Sequence, residues 1–437
     1  MLFALATLAS PNGLGITPPM GWNPYNHMKS TGFKWKVTEQ TLYDTAAALK
    51  SSGLQALGYT YVNLDAGWSL KDRDNATGRP QPDPALFPNI ANGGVAKHLH
   101  GMGFHFGIYS DSGTLHCGGG GPGGLGHETV DAQAYAAWGV DFLKYDNCFV
   151  PPEIQGKPIP RYTAMSEALN ATGRPIFFAM CEWGVADPAT WGASISNSWR
   201  TTADMSDLWW AMCELADLTA EWFEYAGPGH WNDPDLLEVG NGGMTEGEYR
   251  SQMSIWCLIK APLLISTDVT AMSEATLGLL SNDELIAINQ DRLGVAGRLV
   301  EERPPDPVHL QVWAGPLSGG RVAVVLWNRG NGTQEILGRF VDMQLDGSAK
   351  VRDCIAHADL GVATGQVNLN VSAHDVRVLV LTPTPKVGEE ETTRRAWTAA
   401  DDAAWAARWK GHGIRRPQSR LAWEAAKAQR AAVVVES

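Results

Sequence analysis

The chain has 437 residues, of which 44% are hydrophobic and 19% are charged, and its six Cys are too sparse for a disulfide-stapled miniprotein. No apolar run reaches the about 18 residues of a membrane-spanning helix, so we expect neither an integral membrane protein nor a membrane partner. The net charge of −13 would repel phosphate backbones and argues against a nucleic-acid partner. The 18 Trp suit both core packing and contact with sugar rings, and composition does not choose between these roles.

The first ten residues are apolar and end in small side chains, as a signal-peptide cleavage region does, but the segment is short and lacks a basic start. A truncated signal or leader over residues 1–10 and a disordered or misassigned start both remain open. Four glycosylation sequons favour a secretory route, at Asn75, Asn170, Asn331 and Asn370. We therefore predict a protein that is secreted, vacuolar or lysosomal, or located in the cell wall.

One pattern repeats between residues 15 and 270: a short apolar run ends in polar residues and is followed by a segment of helical length. The runs are Ile16–Trp22, Tyr59–Asp65, His105–Asp111, Asp141–Asp146, Pro175–Trp183, Ser198–Asp204, His230–Asp235 and Pro262–Asp268. Eight strands alternating with helices predict a parallel (β/α)₈ TIM barrel, which we assign to residues 11–293. In that fold the active site forms at the carboxyl ends of the strands.

Seven of the eight predicted strands finish on or beside a carboxylate: Asp65, Asp111, Asp146, Glu182, Asp204, Asp235 and Asp268. We assign Asp111 and Asp268 to structural pairing or capping. The sequence lacks an HExxH motif or a His-rich cluster, so we predict no metal site. The Gly-rich run 118–126 is not followed by Lys and Ser or Thr, which argues against a phosphate loop. Paired carboxylates among aromatic and basic residues fit glycoside hydrolysis best.

Beyond the barrel, residues 294–385 show short alternating apolar runs separated by Gly- and Asn-rich turns. This pattern predicts an antiparallel β-sandwich domain. Residues 386–437 form an Ala- and Arg-rich tail with ten Lys and Arg against seven Asp and Glu, a net charge of +3. Trp405 and Trp409 are four residues apart and fit a short amphipathic helix, while a weakly ordered appendage is the alternative.

Six segments are specific enough to indicate a family: Thr17-Pro-Pro-Met-Gly-Trp-Asn23, Tyr109-Ser-Asp111, Leu143-Lys-Tyr-Asp-Asn-Cys148, Cys181-Glu-Trp-Gly184, Trp199-Arg-Thr-Thr-Ala-Asp204 and Trp231-Asn-Asp-Pro-Asp235. In order and spacing they resemble the α-galactosidases of glycoside hydrolase family 27, over roughly residues 12–385, and most closely the plant and fungal branch. The resemblance implies a barrel followed by a non-catalytic sandwich. It also implies a retaining hydrolase of terminal α-linked galactose.

The resemblance places the nucleophile at Asp146 and the acid/base at Asp204. A retaining glycosidase needs two carboxyl groups about 5–5.5 Å apart, which alternate strands of a barrel can supply. Lys144 should help to keep Asp146 ionised, whereas Asp204 should start protonated, through partial burial or the charge of Asp146. The resemblance also implies that Arg200 reaches the 2-hydroxyl of the sugar and that Asp235 completes the pocket rim.

Other substrate-binding residues are implied in the same way. Trp22 is expected to form an apolar wall against the sugar ring, and Tyr109 to line the pocket. Asp65 is expected to accept hydrogen bonds from the hydroxyls at the far end of galactose. Cys181 and Trp183 should crowd the 2-hydroxyl, which would exclude an N-acetyl group.

The sequence departs from the family after the second strand. Asp65-Ala66-Gly67-Trp68 stands where the family has Asp-Asp-Cys-Trp, and Ser30 takes the place of the partner Cys. One family disulfide is therefore expected to be missing. The resemblance implies that the other joins Cys117 to Cys148. Four Cys are predicted to be buried free thiols: Cys181, Cys213, Cys257 and Cys354.

Ala66 replaces a carboxylate that helps to hold the hydroxyls on carbons 4 and 6 in the family. Losing a charged hydrogen bond of about 1.5–3 kcal/mol would cost roughly 10–100-fold in affinity. The chain can still be an α-galactosidase, it can prefer a sugar without carbon 6, such as a β-L-arabinopyranoside, or it can be a galactose-binding pseudoenzyme. The presence of both catalytic carboxylates favours an enzyme.

We therefore predict a retaining exo-α-galactosidase that acts on galacto-oligosaccharides, galactomannans or galactolipids. Water is the second reactant, no cofactor is expected, and a homodimer is the assembly considered. Five Trp at or near strand ends are predicted to face the pocket: Trp22, Trp68, Trp183, Trp199 and Trp231.

Overall fold

The computed structural model describes residues 12–303, 309–384 and 397–410. The predicted leader over residues 1–10 and the remainder of the tail lie outside the described residues. Within those described ranges, no helix is both long and apolar enough to cross a bilayer.

Eight short parallel strands form the wall of the first domain: β1 (Met20–Trp22), β2 (Tyr61–Asn63), β3 (His105–Asp111), β4 (Phe142–Asp146), β5 (Phe177–Met180), β6 (Ser198–Arg200), β7 (Trp231–Asp233) and β8 (Leu263–Ile265). Each lies within one of the predicted runs, so the predicted barrel strands are confirmed. The observed strands are shorter at their carboxyl ends, except β1, β3 and β4. Most of the polar residues predicted at strand ends therefore lie in the loops that follow.

The strands are hydrogen-bonded in the order β7-β6-β5-β4-β3-β2-β1-β8. A parallel bridge between Leu237, which follows β7, and Ile265 of β8 brings the two edges together. The sheet thereby closes into a barrel, and the carboxyl ends of all eight strands open on one face.

Within residues 12–303, which the structure describes, nine helices accompany these strands: α1 (Tyr25–Ser30), α2 (Glu39–Ser51), α3 (Gly94–Met102), α4 (Glu128–Trp138), α5 (Pro158–Ala171), α6 (Trp209–Ala220), α7 (Glu246–Leu258), α8 (Glu274–Leu280) and α9 (Asp283–Asn289). Two of them begin at capping boxes. The Thr38 side chain accepts from the backbone of Thr41, and that of Thr245 accepts from the backbone of Glu248. Such caps satisfy backbone N–H groups that have no partner inside the helix.

The second domain is antiparallel, as predicted. Its strands are β9 (Arg298–Arg303), β10 (Leu310–Leu317), β11 (Arg321–Asn328), β12 (Gln334–Arg339), β13 (Ser348–Asp353), β14 (Ala358–Thr364), β15 (Gln366–Val371) and β16 (Asp375–Pro383). Six form a sheet in the order β14-β13-β16-β11-β10-β9, and β12 pairs with β15. Together they enclose a second hydrophobic core.

The described part of the tail forms a helix, α10 (Ala399–Lys410). Trp405 and Trp409 on this helix are buried in the sandwich core, so the amphipathic-helix interpretation is confirmed for these residues. The backbone N–H of Gly319, between β10 and β11, donates to Asp402 on α10. The helix is thus an integral part of the second domain.

Candidate active site

The carboxylate of Asp146 lies at the end of β4 and accepts a hydrogen bond at each of its two oxygens. The Tyr109 hydroxyl donates to one oxygen at 3.0 Å, and the backbone N–H of Asn147 donates to the other at 3.0 Å. Tyr109 lies on the neighbouring strand β3, where it pairs in register with Lys144. The strand register therefore fixes the orientation of this carboxylate.

Burial sets the proton affinity of Asp146. Only 6% of the residue is exposed, and removal from water raises the pKa of its carboxyl to about 6. The charge of Lys144 acts in the opposite direction, while Asp204 and Asp65 raise the pKa further. Asp146 is thus ionised at neutral pH and takes up a proton as the medium becomes mildly acidic.

Lys144 makes its direct ion pair with Asp65, at 2.8 Å. The Asn23 side chain donates to the same Asp65 oxygen at 2.9 Å. The ammonium lies 5.2 Å from the ring centre of Tyr25 and 5.5 Å from that of Tyr109. Although burial disfavours the charged amine, the charge of Asp65 and its neighbours holds the Lys144 pKa well above its usual range. The cation is therefore permanent, as its predicted role requires.

Arg200, at the end of β6, forms ion pairs with two further carboxylates of the site, Asp204 and Asp235. Its guanidinium lies 3.0 Å from Asp235 and 3.2 Å from Asp204, and it donates to the Ala203 carbonyl at 2.7 Å. Arg200 and Asp235 are buried, whereas 43% of the Asp204 side chain is exposed. Asp204 is therefore the carboxylate that faces incoming molecules.

The protonation state expected for Asp204 is not the one that the structure favours. Burial raises its pKa, but Arg200, Lys144 and Lys29 outweigh that effect and hold the pKa below its usual value. The expectation considered burial and Asp146 alone and left out these three cations. Without substrate, the balance of charge therefore favours the carboxylate form of Asp204, and Asp146 is the member of the pair that takes up a proton first as the pH falls.

The loop after β5 supplies the wall beside Arg200. The sulfur of Cys181 is 3.4 Å from an Arg200 nitrogen, and Trp183 is partly exposed with a backbone φ of +57°. A non-glycine residue rarely adopts this conformation, which turns the loop sharply at this point. Between them, Glu182 is fully buried, and no other residue that the structure describes hydrogen-bonds to either of its carboxyl oxygens. Burial raises the pKa of this carboxyl to about 8.

Tyr25 was not selected from the sequence, yet it reaches the charged cluster. Its ring lies next to Lys144, and burial together with the charges of Asp204 and Asp65 raises the pKa of its hydroxyl to about 12. Trp22, selected instead, is fully buried and donates its indole N–H to the Thr267 carbonyl at 2.9 Å. The signal for Tyr25 was its position two residues after Asn23, at the start of helix α1 and just beyond the end of β1.

Two of the Trp predicted to face the pocket, Trp199 and Trp231, are instead packed inside the hydrophobic core. Trp199 is fully buried and donates to the side chain of Asn232, and its ring stacks on His230. Trp231 is fully buried in a separate small cluster and donates to the Gly15 carbonyl. The prediction failed for this pair because alternate residues of a barrel strand point away from its interior.

The structural roles predicted for two carboxylates are confirmed. Asp111 accepts backbone N–H groups from Gly113 at 2.7 Å and Cys148 at 2.9 Å. Asp268 accepts the backbone N–H and the hydroxyl of Thr270. Both carboxylates organise loops, as capping side chains do.

The predicted disulfide between Cys117 and Cys148 is present. It ties the loop after β3 to the residue two positions beyond Asp146. The four Cys predicted to be free are all buried thiols: Cys181, Cys213, Cys257 and Cys354. At the site of the departure from the family, the Ser30 hydroxyl donates to the His27 carbonyl, and Gly67 has a φ of +97°.

Among the described residues, two groups of side chains are close enough to share a cation. One contains Asp111, Asp146 and both disulfide sulfurs, which are bonded to each other and cannot act as thiolate ligands. The other contains Asp283, Glu284 and His357, where Glu284 already pairs with Arg352 and His357. In both groups, some of the candidate ligand atoms are therefore already engaged in other bonds.

Comparisons with known families and proteins agree with this geometry. Residues 17–291 match the family model described as alpha galactosidase A, and residues 309–381 match the alpha galactosidase C-terminal beta sandwich domain. The alpha-galactosidase of Coffea arabica is 51% identical over 374 residues, covering 85% of this chain and 95% of that protein. The alpha-galactosidase of Oryza sativa subsp. japonica is 48% identical over 377 residues, covering 86% of this chain and 87% of that protein.

Solved structures show the same likeness. Alpha-galactosidase I from Mortierella vinacea superposes with a TM-score of 0.79 at 34% identity, covering 86% of this chain and all of that one. A β-L-arabinopyranosidase from Geobacillus stearothermophilus superposes with a TM-score of 0.74 at 24% identity, covering 86% of this chain and 98% of that one. This second likeness extends to the fold alone.

Proposed function

Because this chain belongs to the α-galactosidase A family and is an α-galactosidase, we propose that it works by double displacement, with Asp146 as nucleophile and Asp204 as acid/base. The contrast between the two carboxylates supports the assignment. Asp146 is buried and held by Tyr109 and Asn147, as suits an attacking group of fixed direction. Asp204 is exposed, as suits a group that exchanges protons with a leaving group and with water.

In the first step, an oxygen of ionised Asp146 attacks the anomeric carbon of the α-galactoside. The bond from that carbon to the leaving oxygen breaks, and Asp204 donates its proton to that oxygen. The products are a β-galactosyl ester of Asp146 and the free alcohol. Tyr109 is a hydrogen-bond donor to the nucleophile and weakens its bond to the proton it must lose.

In the second step, Asp204 is a carboxylate and removes a proton from water. The water oxygen attacks the anomeric carbon, and the ester bond to Asp146 breaks. α-Galactose leaves, Asp146 is again ionised and Asp204 is again protonated. Two inversions give net retention of the anomeric configuration.

The active form carries one proton shared between the two carboxyls. Loss of this shared proton inactivates the pair. It occurs with a pKa of about 6, which is the pKa of Asp146 when Asp204 is already ionised. Bound substrate favours the proton on Asp204, because the leaving oxygen accepts a hydrogen bond from that side. The proposed enzyme therefore works on the acidic side of pH 6 and loses activity as the pH rises through it.

The remaining cluster provides sugar recognition. Lys144, Asp65 and Asn23 form the closed end of the cleft, where hydroxyls of the non-reducing sugar find both donors and acceptors. Cys181 and Trp183 narrow the cleft beside Arg200, where the 2-hydroxyl lies in this proposal. A wall at that position leaves no room for an N-acetyl group.

We assign the substrates to galacto-oligosaccharides, galactomannans or galactolipids, because only the terminal galactose enters the buried part of the cleft. A secretory location is supported by the disulfide and by the sequons, whose Asn are all exposed: Asn75, Asn170, Asn331 and Asn370. A homodimer remains the assembly proposed.

Product stereochemistry tests the mechanism. Hydrolysis of p-nitrophenyl α-D-galactopyranoside, followed by proton NMR, should show α-galactose first and the β-anomer only as mutarotation proceeds. β-Galactose as the first product would refute double displacement. In parallel, kcat/KM for this substrate should exceed that for p-nitrophenyl β-L-arabinopyranoside, and the reverse order would favour the arabinopyranosidase reading.

A further inference from the structure

A cavity of about 240 Å³ lies beside the closed end of the cleft, between the first and second strand-to-helix loops. That volume is many times the about 10–15 Å³ that a single water molecule requires. Its walls are chiefly apolar and include Met28, Phe33, Trp35, Trp68, Leu86 and Phe87. Lys36 and Asp65 are its charged members. The proposed reaction uses no part of this cavity except Asp65.

Two residues connect the cavity to the cleft. Asp65 lines the cavity and also forms the ion pair with Lys144. Phe33 lines the cavity and packs edge-on against Tyr25, with ring centres 6.3 Å apart, and 53% of Phe33 is exposed. Asp65 and Phe33 therefore mark the boundary that a group attached to the sugar would cross to enter the cavity.

The residues that depart from the family pattern border this space. Ala66 and Gly67 line the cavity, and a Cβ atom placed on Gly67 would meet no atom within 4 Å. The short Ala66 side chain presents a methyl group where a carboxylate would be charged. Among the residues that line the cavity, Asp65 is the one with a negative charge. Its oxygens already accept hydrogen bonds from Lys144, Asn23 and the backbone N–H of Ala66.

We propose that this cavity accepts a small apolar group carried on O6 of the galactosyl residue, so that the enzyme cleaves 6-O-alkylated or 6-O-acylated α-galactosides. The inference rests on the proposed function, because the anomeric carbon must lie between Asp146 and Asp204. The ring then extends toward Asp65. The exocyclic carbon 6 rotates freely and can direct its substituent past Asp65 into the apolar space.

The chemistry favours an apolar substituent over a free hydroxyl. A hydroxyl entering the cavity would lose water and find few polar partners, whereas an alkyl group gains from leaving water. Each buried methylene is worth about a fourfold gain in affinity. The preference should therefore increase with the length of the alkyl chain until the cavity is filled.

The test compares p-nitrophenyl α-D-galactopyranoside with its 6-O-methyl and 6-O-propyl ethers on one enzyme sample, so that the active fraction cancels. The wild type should cleave the 6-O-methyl ether with kcat/KM within about threefold of the parent. The propyl ether should be better than the methyl ether by roughly 15-fold, from two buried methylenes. The 2-O-methyl ether, directed at the Cys181–Trp183 wall, should be rejected.

Variants locate the effect. Ala66→Asp places a charge in the cavity, and Met28→Trp places a larger side chain there. Each variant should lower the ratio of kcat/KM for the propyl ether to kcat/KM for the parent by at least about tenfold. Ser30→Ala lies outside the cavity and should leave the ratio within about twofold.

Rejection of both 6-O-ethers by more than about 100-fold, with the parent still cleaved, would overturn this inference alone. The same ratios of kcat/KM for the ethers and the parent in the wild type and in Met28→Trp would also overturn the inference. Failure to cleave the parent itself would instead count against the proposed function.

Discussion

The charged side chains around Asp146 and Asp204 include more carboxylates than cations, and this balance of charge suits the reaction. Asp65, Asp146, Asp204 and Asp235 face two cations, Lys144 and Arg200. An excess of negative charge in a buried site stabilises the positive charge that develops at the anomeric carbon. Lys144 lowers the pKa of Asp146, and Arg200 and Lys144 lower that of Asp204, so the cations oppose proton uptake by these two carboxylates.

Lys144 provides a direct test of this charge balance. Its charge lowers the pKa of both Asp146 and Asp204, so Lys144→Met should raise both values. In the wild type, kcat/KM should fall about tenfold per pH unit above about pH 6. In Lys144→Met this fall should begin at higher pH, although the maximum activity will be lower because a sugar-binding group is lost.

The control for this prediction is Lys144→Arg, which keeps the positive charge. Its pH profile of kcat/KM should fall at nearly the same pH as that of the wild type. A Lys144→Met profile that falls at the same or a lower pH than the Lys144→Arg profile would show that this charge does not control the pair.

Motifs in the sequence selected Asp146, Asp204, Lys144 and Arg200 because their spacing matched that of a known family, and the structure places these side chains in one charged cluster. Sequence could not give the protonation of Asp204, which depends on three cations from separate segments. It also missed Tyr25, since only the turn of the first loop shows that this ring, and not that of Trp22, meets Lys144.

At the scale of elements, the barrel strands were predicted well and their ends poorly. Strand β6 ends at Arg200, and Asp204 lies four residues into the following loop. Apolar runs mark where strands occur, but hydrogen bonding to the neighbouring strands decides where they stop. The spacing of two Trp left helix α10 as one of two interpretations, beside a weakly ordered appendage, and its packing on the sandwich was not predicted.

Helix α10 should contribute to stability through Trp409. This side chain is 1% exposed, and the Arg298 guanidinium lies 5.2 Å from the centre of its ring. Trp409→Ala should lower the free energy of unfolding by about 3–5 kcal/mol, as for other buried aromatic side chains. Urea unfolding followed by far-UV circular dichroism measures the change.

Trp210→Ala is the matched control, because Trp210 is 61% exposed on α6. Its free energy of unfolding should change by less than about 1 kcal/mol. If Trp409→Ala proved no more destabilising than this control, α10 would not be anchored through Trp409.

In the whole molecule, the sandwich is joined firmly to the barrel by charged side chains. Arg329 of the sandwich pairs with Asp217 on α6 at 2.8 Å, and Asp375 pairs with Arg250 on α7 at 2.8 Å. Both carboxylates are largely buried, so removing either cation would leave an unpaired charge at the interface. Alternating apolar runs predicted the sandwich itself, but pairs that link residues more than a hundred positions apart leave no local signal in the sequence.

The assignment of Asp146 and Asp204 is tested most directly by azide rescue of Asp146→Ala and Asp204→Ala with 2,4-dinitrophenyl α-D-galactopyranoside. In Asp146→Ala, azide takes the place of the nucleophile and should give β-galactosyl azide. In Asp204→Ala, azide attacks the ester on Asp146 and should give α-galactosyl azide. Proton NMR of the two products distinguishes the anomers. The same anomer from both variants, or the opposite assignment, would contradict the roles given to these two carboxylates.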